Sequence, residues 1–245
     1  MEDDPLSDEH ILPFGLFGKY RLRRASCKEC AKITSAIERK VQQDDLGSLR
    51  IKLSFPTRHK GRRPKLLSMT VERRDGTTKT INVPPEDYLA VLALPLFNMP
   101  AHIKNRDYQC GINMIGYVSI IPQHQLEQIA QKYNAVKVTG RTLRWPDAWA
   151  RMFAKMAYGL AVRHYGLEGI EKVYVVDAIL GKSNDIGMWV GCDLQDAFGA
   201  EENEENKDTH ALALWTIDGE IHVRIKLFAW MDAPEYLIVV GRASA

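Results

Sequence analysis

Glu9 and His10 stand side by side just ahead of Pro13, and an acid next to a histidine is a pair that can divide the labour of hydrolysis. The carboxylate would bind a divalent metal, and an imidazole that is neutral near pH 7 would take a proton from water. The metal would then stabilise charge on a phosphate and on its leaving oxygen. Side chains alternate across a strand, so the two groups converge only if the chain bends, which Pro13, Gly15 and Gly18 allow. The plainer alternative is a surface histidine bonded to a neighbour. Cys27 and Cys30 form the second chemical pair, with the spacing of half a zinc site. Tetrahedral zinc takes about four ligands and the chain has no second Cys-x-x-Cys, so two thiols in the first turn of a helix are an equal reading. A redox role would call for a thioredoxin-like βαβ pattern, which is not present around the pair. Cys110 and Cys192 are isolated and read as small buried hydrophobes.

The formal net charge of +2 conceals a strong segregation. Residues 1 to 18 hold five acids and no Lys or Arg, residues 19 to 65 hold 15 Lys and Arg against four acids, and the remainder holds 18 against 22. The middle block suits a polyanion, because Lys and Arg contacts to phosphate release condensed counterions. Its alternative is a solvated basic face. Four cysteines in 245 residues, with one close pair, do not make a secreted disulfide framework, and the acidic start lacks the pattern of a signal peptide. The longest apolar run, 88 to 97, is too short to span a bilayer and contains Pro95. A cytoplasmic protein with no membrane partner is expected.

Several elements must position these residues. Residues 9 to 12 and 19 to 24 read as short strands joined by a Gly-containing loop. Ser26 with Glu29 three residues later forms a capping-box signature, after which Ile33, Ile37 and Val41 mark one helical face. The dense basic stretch from 48 to 65 carries Pro and Gly and reads as an extended connection. Asp75-Gly76 and Asp218-Gly219 mark hairpins, and strands are expected near 115 to 121, 135 to 138 and 235 to 240, with a polar helix around 123 to 133. Residues 145 to 165 have Pro146 at a first-turn position and are apolar nearly all round, the pattern of a central buried helix. The acidic residues 199 to 208 read as a mobile loop.

The order Glu9-His10-x-x-Pro13, Gly-containing loop, short strand, Cys27-x-x-Cys30, helix resembles the HNH endonuclease family, and in particular a subgroup matched here by EHILP, Ala25-Ser26-Cys27, Cys30, Thr34-Ser35 and Glu38. The matched motif covers residues 8 to 41; Arg151 to Lys155 and Tyr236 to Gly241 also resemble the C-terminal region of such proteins. The pattern beyond residue 45 reads as a basic linker over 46–65 and an α+β domain over 66–245, and for 1–45 the resemblance implies a ββα-metal module. It implies His10 as the general base of phosphodiester hydrolysis and Glu9 as a ligand of a catalytic divalent metal such as Mg, Mn, Zn or Ni. Cys27 and Cys30 would be half of a structural zinc site. Arg21, Arg23, Arg24 and Lys28 would contact phosphates, as would Arg58, Lys60, Arg62 and Arg63, with DNA ahead of RNA as the partner.

The sequence departs from that pattern in three places. Met1 to Asp8 contains no cysteine where relatives carry another Cys-x-x-Cys, no Asn lies between His10 and Cys27, and Ala31 stands where a helical His or Asn ligand usually follows the second Cys. A second metal ligand would come from farther along the helix, with Glu38 the candidate, Thr34 one turn earlier on the same face, and Asp8 a possible substitute for Glu9. Three functions are thus in competition: a metal-dependent HNH-type endonuclease, a catalytically degenerate HNH-like protein that holds nucleic acid without cutting it, and small-ligand binding or protein interaction by the 66–245 domain with the N-terminal unit as a scaffold.

Overall fold

The computed structural model describes residues 5–105, 107–108, 110–120, 123–140, 144–193 and 210–244. The expected loop at 199 to 208 and the side chain of Lys60 lie outside the described residues. The fold is α+β. Its first unit is a hairpin followed by a helix: β1 (Ser7–His10) pairs antiparallel with β2 (Arg21–Ser26), and α1 spans Lys28–Arg39. The connecting loop is tight. A Cβ on Gly18 would lie 1.7 Å from the Leu12 carbonyl oxygen, so only glycine fits there.

The start of α1 differs from the expected capping box. Cys27, not Ser26, is the N-cap, and its sulfur accepts the Cys30 N–H at 3.4 Å. Ser26 is still the last residue of β2, where extended geometry points its hydroxyl at the Cys27 carbonyl. After Arg39 the helix widens into a π-turn, Lys40–Asp45, and the basic stretch that reads as extended then forms the short α2, Gly47–Lys52. Leu49 on α2 is buried, and that burial overrides the local turn signals.

Further on, β3 (Leu67–Glu72) and β4 (Thr78–Val83) form the expected hairpin with Gly76 at φ 79°, and β7 (Lys137–Gly140) joins the other edge of β3. Between them come β5 (Leu92–Phe97), α3 (Ala101–Lys104), β6 (Met114–Ile120), which pairs with β5, and α4 (Gln123–Lys132). The long helix α5, Pro146–Tyr165, begins with the proline as expected. It is followed by β8 (Ile170–Val173), α6 (Val176–Leu180), α7 (Ile186–Trp189), β9 (Val190–Asp193), β10 (His210–Ile217), β11 (Glu220–Leu227) and β12 (Glu235–Ala243). The order β10-β11-β12-β8 makes an antiparallel sheet, with β9 also pairing with β12. Asp218 and Gly219, both at positive φ, turn β10 into β11.

Helix α5 lies between this sheet and α1. Its Trp149, Phe153 and Met156 are fully buried, and the Phe153 ring stacks on Tyr236 of β12 at 3.8 Å between centroids. The same apolar cluster includes Leu16, Ile37, Val41, Leu49 and Phe55 from the first 55 residues, so the β1-β2-α1 unit completes its core on α5 and the sheet. Two polar contacts reinforce the junction. His210 on β10 donates from Nε2 to the Leu16 carbonyl at 2.9 Å and accepts the Phe228 N–H at Nδ1, which requires a neutral ring. Asp45 accepts the Trp149 indole N–H at 2.5 Å and the Trp145 backbone N–H at 3.3 Å. No helix among the described residues is long and apolar enough to cross a membrane.

Candidate nucleic-acid interface

Glu9 and His10 close β1, and alternation along the strand separates their side chains. Glu9 meets α1 and α5. Its Oε1 lies 2.7 Å from Lys155 Nζ, and its Oε2 accepts from the Thr34 hydroxyl at 3.4 Å. Glu38, on the last turn of α1, places Oε1 2.8 Å from the same ammonium. Lys155 also donates to the His10 carbonyl, so its three hydrogens have three oxygen partners. The lysine is only 6% exposed, which a charge tolerates when it is paired and hydrogen-bonded in this way. Burial pushes the Glu38 carboxyl above its usual range, and the neighbouring Lys155 opposes that shift.

Sequence reasoning pairs Glu9 with Glu38 and sets Thr34 on the same helical face; the structure brings all three together, around a lysine. This donor set does not fit a divalent metal as it stands, because an ammonium holds the point where both carboxylates converge. Among the described residues no group of three or more His, Cys, Asp or Glu side chains could hold a metal ion. Lys155 has no role in the sequence reading beyond its place in a helix segment of noted resemblance. The available signal is a lysine inside the otherwise apolar run Met152-Phe-Ala-Lys-Met-Ala157. A buried lysine of that kind needs a carboxylate partner.

The His10 ring is half-buried, with Phe14 at 6.1 Å between ring centroids. Burial lowers its pKa, and the positive charges of Arg58, Lys155 and Arg21 lower it further against the opposing Glu9. The imidazole is therefore neutral and able to accept a proton near pH 7. Arg21, Arg23 and Arg24 are exposed along β2, and exposed Lys28 opens α1. Arg21 has a loose, solvent-exposed ion pair with Asp8 at 3.7 Å, a contact of little energetic weight. Asp8 also accepts the Arg24 N–H, so it braces β2. Arg58 lies over the Phe14 ring at 5.9 Å. Next to Arg21 in the chain, Tyr20 is 68% exposed with the Arg163 guanidinium 5.0 Å from its ring centre, a stacking surface that the sequence reading does not single out.

Arg62 and Arg63 line a separate cavity of about 420 Å³ together with Arg50, His59 and Thr57 and no acidic side chain. Arg50 is spoken for: its guanidinium donates to the carbonyls of Gly15, Gln42 and Pro56, tying the β1-β2 connection and the segment after α2 to the π-turn. Arg63 donates to the Phe55 carbonyl, whereas Arg62 is exposed.

Cys27 is exposed and Cys30 half-buried, and no further His, Cys, Asp or Glu joins them in a metal-binding group among the described residues. Hydrogen bonds from Cys30 lower the Cys27 pKa, while the contact with Cys27 raises that of Cys30. Of the remaining thiols, Cys192 is buried as expected and pushed up to about 12 by that burial, but Cys110 is exposed, because it lies in a surface loop and not in the core. Iodoacetamide at pH 7.5 should thus label Cys27 faster than Cys30 and leave Cys192 unmodified in the folded protein, as read by peptide mass spectrometry. Equal rates at Cys27 and Cys30 would contradict this local geometry.

Comparison of the chain with protein-family models, with curated proteins and with solved structures found no match.

Proposed function

We propose that the protein binds nucleic acid through the basic face of its β1-β2-α1 unit and that it is a catalytically degenerate relative of the HNH endonucleases. The observation that carries this reading is the partition of charge. Glu9 and Glu38 are turned inward and neutralised by Lys155, while Arg21 and Arg58 remain on the surface near His10 and Arg23 and Arg24 are exposed farther along β2. A phosphate backbone meeting this face encounters these cations without repulsion from Glu9 and Glu38, and the exposed Asp8 carboxylate is paired with Arg21. The exposed Tyr20 ring adds a surface on which an unpaired base can stack.

A second reading, hydrolysis with His10 as general base, is favoured by one observation: a neutral imidazole flanked by arginines that would hold a phosphate in place. Incubating the full chain with single- and double-stranded DNA and RNA, in EDTA and in Mg, Mn, Zn or Ni, separates the two. The binding reading expects a shifted band or a rise in fluorescence anisotropy that survives EDTA, with intact nucleic acid recovered in every metal. Cleavage that disappears in His10→Ala would replace it with the hydrolytic reading.

A further inference from the structure

Two carboxylates whose oxygens lie within reach of one nitrogen repel each other unless a cation stands between them. Here the cation is part of the chain. Lys155 comes from the middle of α5, where its neighbours Met152, Phe153, Ala154, Met156 and Ala157 are all fully buried, so the lysine enters from the core side and is held there by packing. Its oxygen partners are a strand carboxylate, a helix carboxylate and the His10 carbonyl, and the Thr34 hydroxyl stands behind Glu9. Hard oxygen donors of this kind suit Mg²⁺ or Mn²⁺ better than a soft metal.

We propose that the Lys155 ammonium is a resident counter-cation that holds Glu9 and Glu38 where a hard divalent ion would otherwise hold them, and that removing it uncovers a latent divalent-cation site. The inference rests on the ion-pair geometry and is independent of nucleic-acid binding. Truncating the lysine leaves two carboxylates and a carbonyl around the space its ammonium occupied, with the Thr34 hydroxyl bonded to the far oxygen of Glu9.

The test is a Mn²⁺ titration of the full chain without nucleic acid, followed by electron paramagnetic resonance of the free ion, on wild type, Lys155→Ala and Lys155→Ala with Glu9→Gln. The proposal expects Lys155→Ala to bind a single Mn²⁺ roughly tenfold or more tightly than wild type, and Glu9→Gln in that background to abolish the gain. A folded Lys155→Ala that binds no better than wild type would overturn it, as would tight wild-type binding that is lost in Glu38→Gln. If Lys155→Ala does not fold, the double variant Lys155→Ala with Glu38→Gln decides: a folded double variant supports the charge argument, because the repulsion has been removed, and an unfolded one overturns it, because the lysine then acts through packing. Anisotropy of labelled DNA with wild-type protein in EDTA, run in parallel, reports on the proposed function alone, so the two can fail separately.

Discussion

Changing Arg21, Arg23 and Arg24 together to alanine should weaken DNA binding by orders of magnitude at low salt and reduce the log–log salt slope by about 2 to 3, because each phosphate contact on a duplex contributes roughly 0.9 to that slope. The three side chains are exposed on β2 and none is part of the core, so the folded state should persist. Two interactions of β2 survive the change, since the Arg24 N–H to Asp8 bond uses the backbone and the β1-β2 pairing is also main-chain. Losing only the Arg21–Asp8 ion pair, which is exposed on both sides, should leave the melting temperature nearly unaltered. Fluorescence anisotropy over a salt series checks the slope, and circular dichroism checks the fold. An unchanged slope would remove this face from the interface.

The second large effect concerns stability against pH. His210 is neutral in the fold and burial lowers its pKa from 6.5 to about 4, so the unfolded chain binds the extra proton between those values and this contribution is lost as pH falls from 6.5 toward 4. Asp45 works in the opposite sense across nearly the same window. Burial raises its pKa from 3.8 to about 6, and one of its oxygens has no hydrogen-bond partner; the folded chain therefore holds the proton more tightly, and stability is lost as pH rises from 3.8 through 6. The two slopes offset one another in wild type. Relative to wild type, Asp45→Asn should gain about 1 to 2 kcal/mol as pH is raised from 4 to 7, less than the full linkage value because the carboxyl keeps some contact with solvent. The variant should then show the steep acid loss caused by His210. Urea denaturation at pH 4, 5.5 and 7 measures both; a difference between variant and wild type that stays constant with pH would contradict the assignment to Asp45.

Local chemistry made much of this fold legible. The two Asp-Gly pairs sit at the hairpin turns, Pro146 opens α5, and the apolar period of Ile33, Ile37 and Val41 faces the core, because turn geometry, proline geometry and helical periodicity are properties of neighbouring residues. Long-range packing was not legible in the same way. Nothing near Gly47 announces α2, which exists because Leu49 and the Arg50 guanidinium are drawn into the junction with the loops at Gly15 and Pro56. The short β8, α6, α7 and β9 carry few local signals and take their form from pairing with β12 and packing on α5.

The candidate site shows the same division. Glu9, His10 and Glu38 could be read from a short motif, as could the arginines of β2. Lys155, 117 residues beyond Glu38, could not, since its meaning depends on α5 crossing behind α1. That one residue changes what the acidic pair can do, from holding a metal to bracing the strand and helix that carry the basic face. The Ala31 departure acquires a physical setting as well: α1 supplies Thr34 and Glu38 to this cluster, and both are already engaged with Glu9 or its lysine.

The most direct test of the whole account is the affinity of the wild-type chain for a fluorescent DNA duplex in EDTA, measured from about 50 to 200 mM salt. The wild-type chain should bind without any divalent metal, with a linear fall of log affinity with log salt whose slope is set by Arg58 and the arginines of β2. Absent binding, or binding indifferent to salt, would contradict it.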